Sequence, residues 1–293
     1  MSLSPNILIT GATGTIGKEL TKHLAEKNVP FRAMVRSIDA AKELARLPQA
    51  ELIEGNFDNV ASVENTLIGI EKAFLLTNSS ENAEIQQINF VKAAKKAGVK
   101  HIVKLSQWAA DVHSPVRFLK YHAVVENFIK ESGIEYTFLR PNLFMQGLLG
   151  FRETIIKQNQ FFGAVGDSQI SIVDIRDIAE VAVVSMTEGG HKNKFYNITG
   201  PESISHYEMA EMLSSELGRQ ITFVDVTSEM LQNMLLGVGF PEWQAKGLVE
   251  DYAHYKLGEA SEISPDVEKL TGKPARNFAD FAKDHAELFG VKI

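Results

Sequence analysis

The feature that most constrains this chain is an alternation, between residues 6 and 141, of short β-rich apolar runs with helix-like stretches. "NILIT" precedes a helix over Ile16–Lys27, "FRAMVR" precedes one over Ala40–Leu47, and "AELIEG" leads on to "KAFLLT". A helix over Glu84–Ala97, then "HIVKLS", a helix over Val116–Ser132 and "YTFLRP" continue the series. Strands that run in one direction need a long crossover, which a helix supplies, so the rhythm predicts βαβ units and a doubly wound parallel sheet. The strands read as apolar on both faces, as a sheet covered by helices on both sides requires. After Pro141 the rhythm loosens into an aromatic-rich stretch from Phe144 to Phe162. "ISIVDIRDIAEVAVVSM" then reads as strand and helix, "KFYNIT" as a strand, and the remainder as short helices with one strand at "ITFVDV". A length of 293 residues suits a large α/β domain with a smaller lobe. The expected division is a nucleotide-binding domain over 1–150 with 170–200, and a smaller, mainly C-terminal α/β lobe over 151–169 with 201–293.

Charge and composition remove several function classes. The formal net charge is −7 and no long Lys/Arg cluster occurs, so the electrostatic footprint of a nucleic-acid binder is missing. With no cysteine, disulfides, thiolate catalysis and Cys-based metal sites are excluded. No apolar run approaches the roughly 20 residues of a membrane-spanning helix, and Met1–Asn6 is too short for a secretory signal. These features predict a cytoplasmic protein with neither membrane nor nucleic acid as partner. No H-x-x-x-H or Glu-rich helical array offers a metal site, and neither a G-x-S-x-G elbow nor a G-x-x-x-x-G-K-[ST] loop is present.

Gly11, Gly14 and Gly17 form G-x-x-G-x-x-G directly after "ILIT" and directly before a helix. Glycines there permit a tight turn, close approach of backbone N–H groups to a pyrophosphate, and close packing of helix on strand. A plain strand-to-helix loop is the alternative, but the βαβ frame favours a Rossmann-type dinucleotide site over Gly11, Thr13, Gly14, Thr15, Ile16 and Gly17. An NAD-selective fold places an acid at the end of the second strand; this chain has Arg36 there. A guanidinium would stack on adenine or grip a 2′-phosphate, with Lys18 and Ser37 assisting, which predicts NADPH/NADP+ as cofactor. The plain alternative is a solvated strand-end arginine.

The spacing "GATGTIG" resembles the short-chain dehydrogenase/reductase superfamily in its atypical and extended branches. "VRS", "GNFD", "AAKKAGVKHIVKLS", "GIEYTFLRPNLFMQ", "VDIRDIAEVAV" and "LTGKPARNFADFAKDH" extend the likeness over nearly the whole chain. Together they resemble the NmrA-like group, which holds bacterial NADPH-quinone oxidoreductases, triphenylmethane reductase, isoflavone-type reductases and catalytically silent redox sensors. The resemblance implies that Asn56, Phe57 and Asp58 lie beside the adenine and that Thr77 and Asn78 line the ribose and pyrophosphate. It puts Ser106 at the superfamily's serine, Phe118 at its tyrosine, His122 at its lysine and Glu126 at a glutamate often found four residues further on. The Tyr-x-x-x-Lys dyad has thus become Phe118-x-x-x-His122. Tyr121 sits about 60° away from the tyrosine's direction on the helix, so a substitute role is not favoured. His122 would serve as an acid or hydrogen-bond the nicotinamide ribose, or else simply brace Glu126 one turn on. Ser106 is either its partner or a hydroxyl bonded to backbone.

Ketone reduction needs a proton on the developing alkoxide, whereas quinones and triarylmethyl cations spread the arriving charge over a conjugated system. The lost dyad therefore points to an electron-poor conjugated substrate. Gln107, Trp108, Asn142, Phe144 and Met145, with Phe151, Phe161 and Phe162, would form a slot for a flat ligand or else fill the core of the lobe. The expected function is an NADPH-dependent quinone reductase-like oxidoreductase. A non-catalytic NADP(H)-binding redox sensor, which alone would need a protein partner, is the second reading; a sugar-nucleotide epimerase is the third, and the absent dyad counts against it.

Overall fold

A computed structural model describes residues 5–290. In chain order its elements are β1 (Ile7–Ile9), α1 (Thr15–Glu26), β2 (Phe31–Val35), β3 (Ala50–Glu54), α2 (Val60–Thr66), β4 (Lys72–Leu75) and α3 (Ala83–Ala97). They continue with β5 (His101–Leu105), α4 (Arg117–Ser132), β6 (Glu135–Pro141), α5 (Arg152–Gln158), β7 (Gln160–Gly163), α6 (Ile175–Thr187) and β8 (Lys194–Ile198). The rest comprises α7 (His206–Leu217), β9 (Thr222–Asp225), α8 (Ser228–Gly237), α9 (Glu242–Tyr255), α10 (Asp266–Thr271) and α11 (Phe278–Asp284).

Seven strands form one sheet in the order β3-β2-β1-β4-β5-β6-β8, the arrangement of a doubly wound Rossmann-like α/β fold. The pairs from β3 through β6 are all parallel, with Ile9 opposite Phe74 and Lys104 opposite Phe138. From β1 the chain winds outward to β2 and β3, then returns to the other side of β1 as β4. The order reverses between β1 and β4, the position at whose carboxyl ends open α/β sheets take their ligands.

The chain divides into two compact units: Met1–Ser114, Leu119–Arg140 and Ile178–Tyr196 in the first, and Pro115–Phe118, Pro141–Asp177 and Asn197–Ile293 in the second. The first has a core of Leu8, Leu75, Phe90, Ile102, Ile129 and Phe138, drawn from both strands and helices. The second has its own core, around Met145, Phe161, Leu213, Phe223 and Phe281, and its own two-stranded parallel sheet of β7 and β9. Among the described residues no helix is long and apolar enough to cross a membrane.

Three local expectations fail. The helix expected over Ala40–Leu47 is two 3-10 turns, Asp39–Ala41 and Leu44–Arg46. Pro48 follows Leu47 and holds it extended at φ −69°, ψ 136°, which ends the segment where the expected helix ended; the 3-10 form of the turns before it has no account in these residues. The strand expected in "ISIV" is reduced to isolated bridges, Ile170 with Ile204 and Val173 with Phe144. The uniform apolarity of the parallel strands is broken in β5, where Lys104 is wholly buried. Helix α2 went unanticipated; Asn59 caps it by accepting from the Ser62 N–H at 3.1 Å.

Candidate functional site

The turn after β1 is built by backbone. Gly11 sits at φ +63°, and a Cβ there would lie 2.9 Å from the Leu76 side chain. At Gly17 a Cβ would come within 2.1 Å of the Gly11 carbonyl oxygen and 2.7 Å of the Ala12 Cα, so the first turn of α1 packs directly on the loop. The Gly14 N–H donates to the Gly11 carbonyl at 3.0 Å, and Gly14 is the extended N-cap of α1. No side chain caps this helix and no acid stands in its first turn. Its N-terminal donors and positive dipole end are thus unopposed, the condition a phosphate needs. Thr13, Gly14 and Thr15 are exposed, while Ile16 and Gly17 are buried beneath.

Thr10, which the motif reading passed over, pins this loop to the next strand. Its hydroxyl donates toward the Phe74 and Leu76 carbonyls at 2.9 and 3.1 Å and accepts from the Leu76 N–H at 2.9 Å. The signal was present as a hydroxyl ending an apolar strand.

The other cofactor candidates likewise end their strands. Arg36 follows β2, exposed and without an ion pair among the described residues. After β3 the Asn56 side chain accepts from the Asp58 N–H, and Phe57 leans on Phe90 at 5.9 Å. After β4 the Thr77 hydroxyl accepts from Gln87 at 2.8 Å, and Asn78 is exposed.

The carboxyl end of β5 carries a buried polar network. Ser106 donates its backbone N–H to the Leu139 carbonyl at 2.7 Å and its hydroxyl to Glu126 at 2.6 Å. Glu126, on α4, also accepts from Arg140 on β6 through both carboxylate oxygens, and the Arg140 guanidinium lies 4.7 Å from the centre of the Phe195 ring. This occupies the Ser106 proton, so the hydroxyl has only acceptor capacity left. His122 does not brace Glu126. Its Nδ1 lies 2.6 Å from the Nζ of Lys104, which also donates to the Leu105 carbonyl at 3.1 Å. Burial, and then the Lys104 charge, holds the His122 pKa well below its usual value of 6.5. Burial pushes the Lys104 ammonium down to about 7, against the opposing pull of Glu126. Lys104 was missed because one lysine in "HIVKLS" reads as a strand-edge charge; a lysine inside an otherwise apolar parallel strand was the available signal. Tyr121 is buried beside the His122 ring, centroids 4.1 Å apart, with its hydroxyl 3.2 Å from that of Ser79.

The remaining candidates have packing positions. Phe118 lies against Trp243 with centroids 5.3 Å apart, and its ring fills the space a Cβ on Gly247 would need. Asn142 is buried, donating to the Ser171 hydroxyl and the Ala260 carbonyl, both at 2.9 Å. Met145 and Phe161 are 1% exposed in the core of the second unit. These two and Asn142 are buried, as the core alternative to a ligand slot requires. Phe144 is partly buried, as is Gln107 in the first unit, where Trp108 is buried and Ala109 holds φ +57°.

The sequence profile of the NmrA-like family matches residues 4–281. The NAD(P)H azoreductase of Xenophilus azovorans is 36% identical over 285 residues, covering 97% of this chain and 99% of the other. The NADPH-dependent quinone oxidoreductase of Escherichia coli, solved with NADPH, superposes with a TM-score of 0.86 at 29% identity, covering 95% of this chain and 99% of that one. The triphenylmethane reductase of Citrobacter sp., solved with NADP(H), superposes at 0.85 with 30% identity, covering 96% and 99%.

Proposed function

We propose a function on the premise that this chain belongs to the NmrA-like family: it is an NAD(P)H-dependent oxidoreductase that draws on NADPH and reduces quinones or similar conjugated acceptors. The observation that carries the reading is the turn at the strand-order reversal, where an uncapped helix N-terminus meets glycines with no room for a side chain; Arg36, without an ion pair among the described residues, ends the neighbouring strand. When bound, NADPH supplies a hydride. In this reading the first turn of α1 receives the pyrophosphate, Arg36 takes the 2′-phosphate, and Asn56, Phe57, Thr77 and Asn78 border adenine and ribose. His122 orients the nicotinamide ribose or gives a proton, Ser106 accepts a hydrogen bond, and Gln107 and Trp108 stand beside the acceptor.

Support for a conjugated acceptor is chemical: the position of the superfamily's tyrosine holds Phe118, a packing residue that has no proton to give. The likeness to azo-dye, quinone and triphenylmethane reductases points the same way. Steady-state NADPH oxidation against quinones, cationic dyes, azo compounds and carbonyls, with titrations of both cofactor forms, tests it. Turnover of the conjugated acceptors well above the carbonyls is expected; tight binding without turnover would instead mark a redox sensor. Arg36→Asp should weaken NADPH about ten- to a hundredfold and reverse the preference over NADH, as loss of charge-assisted hydrogen bonds worth about 1.5–3 kcal/mol requires. Equal affinities in the wild type would remove Arg36 from the site.

A further inference from the structure

Two buried nitrogen bases stand in contact on the floor of β5 and α4, and no other group explains why. Lys104 is completely buried, yet among the described residues no carboxylate touches it: its ammonium bonds the Leu105 carbonyl and the Nδ1 of His122. The nearby carboxylate of Glu126 is engaged by Ser106 and by Arg140. An apolar side chain would fill a parallel strand at lower cost than an ammonium without an anionic partner.

We propose that Lys104 is a positioning residue that acts through His122, setting its tautomer and storing the proton that His122 delivers to the reduced acceptor. The proposal rests on the reductase reading above and adds the route of the proton. A lysine ammonium can only donate, so its contact at 2.6 Å makes Nδ1 the acceptor and leaves the ring's single proton on Nε2. No protein partner takes that Nε2–H among the described residues.

A quinone spreads the charge of an arriving hydride over its ring, so it needs less help from an acid than a ketone does, but the hydroquinone anion that results still carries an anionic oxygen that must take a proton. The Nε2–H bond of His122 breaks as an O–H bond forms on that oxygen. In the same passage an Nζ–H bond of Lys104 breaks and an Nδ1–H bond forms. The quinone is reduced by the dihydronicotinamide, while the Lys104–His122 pair gives one proton and changes no oxidation state. After product leaves, Nε2 takes a proton from water and Nδ1 returns one to Lys104. The pair is thus poised to release a proton near neutral pH, consistent with an ammonium lowered to about 7 by burial. The charged groups facing it are Glu126, which favours the ammonium, and Arg140, which opposes it; Tyr121 lies against the imidazole.

The acceptors separate this role from a structural one. Reduction of a quinone needs a hydride and a proton, whereas a triarylmethyl cation becomes neutral on receiving the hydride alone. Lys104→Met should therefore lower the ratio of quinone to dye turnover by about ten- to a hundredfold, the range of positioned acid-base groups. In the wild type, quinone turnover should fall relative to dye turnover as pH rises through about 7, because the ammonium empties its proton there. Nitrogen NMR of the His122 ring, which needs no turnover, should show protonated Nε2 and bare Nδ1 in the wild type and a tautomer mixture in Lys104→Met. An unchanged ratio in a folded Lys104→Met protein, or a wild-type ratio flat with pH, would overturn the proposal. If Lys104→Met does not fold, the wild-type pH profile and ring spectrum decide it. If the wild type reduces neither acceptor, the reductase reading fails, and the ring spectrum still decides whether Lys104 sets the tautomer.

Discussion

The turn between β1 and α1 and the network between β5 and α4 are both at the carboxyl ends of strands in the first unit, yet they are made of different materials. The turn is a backbone site. Its shape follows from what is missing: no Cβ at Gly11 or Gly17, no cap on Gly14, no acid in the first turn of the helix. The network is a side-chain site, in which Lys104, His122, Glu126, Ser106 and Arg140 converge from two strands, a helix and a strand end. A backbone site is a local property of a few consecutive residues and tolerates no added volume. A side-chain site depends on partners far apart in sequence, and it fails when one charge is removed and its mate stays buried.

The first way to break this contrast is Arg140→Met. Glu126, 1% exposed, would lose its cationic partner and keep, among the described residues, only the neutral Ser106 hydroxyl as a hydrogen-bond donor. A loss of about 3 kcal/mol is expected, as for other buried pairs stripped of one member, read as a fall in the denaturation midpoint. A change below about 1 kcal/mol would show that water reaches the carboxylate and that the network is not a closed unit.

Gly17→Ala tests the other side. The methyl carbon would meet backbone atoms at 2.1 to 2.8 Å, so the loop or the helix must move. About 2 kcal/mol of stability should be lost, as in other overpacked sites, and NADPH titration should show at least about a tenfold weaker complex, which is 1.4 kcal/mol. Unchanged affinity in the folded variant would mean that the turn is only a connector.

The smallest effect is expected from Tyr121→Phe. It removes the hydroxyl that contacts Ser79 and leaves the ring beside His122, so about 1 kcal/mol should be lost, as for a typical hydrogen bond. Quinone turnover should stay within about threefold of the wild type; a fall of several orders of magnitude with folding intact would make Tyr121 the acid that Phe118 cannot be.

How much of this was legible varies with the reach of the interaction. The parallel sheet, the glycine turn and the place of Arg36 could be read from short windows, because periodicity, a tight turn and a strand end are local. The helix expected over Ala40–Leu47 is two 3-10 turns, and Pro48, one residue beyond, marks only where the segment ends. For Asn142 and Met145 the residue types suit a ligand slot and a core equally well; only their neighbours, Ala260 and the packed second unit, place them in the core.

By itself the sequence determined the class of fold, the glycine turn after β1 and the arginine in place of an acid after β2; its resemblance to the short-chain reductases implied Phe118 and His122 where their tyrosine and lysine stand. The tertiary structure alone decided which partners the buried polar side chains take. Lys104 and His122 are 18 residues apart and lie on different elements, and the pairing of Glu126 with Ser106 and Arg140 rather than with His122 is likewise a matter of register between β5, α4 and β6. The physical reason is that a buried charge is governed by whichever opposite or donating group comes within hydrogen-bonding distance, and that distance exists only once strands and helix have packed.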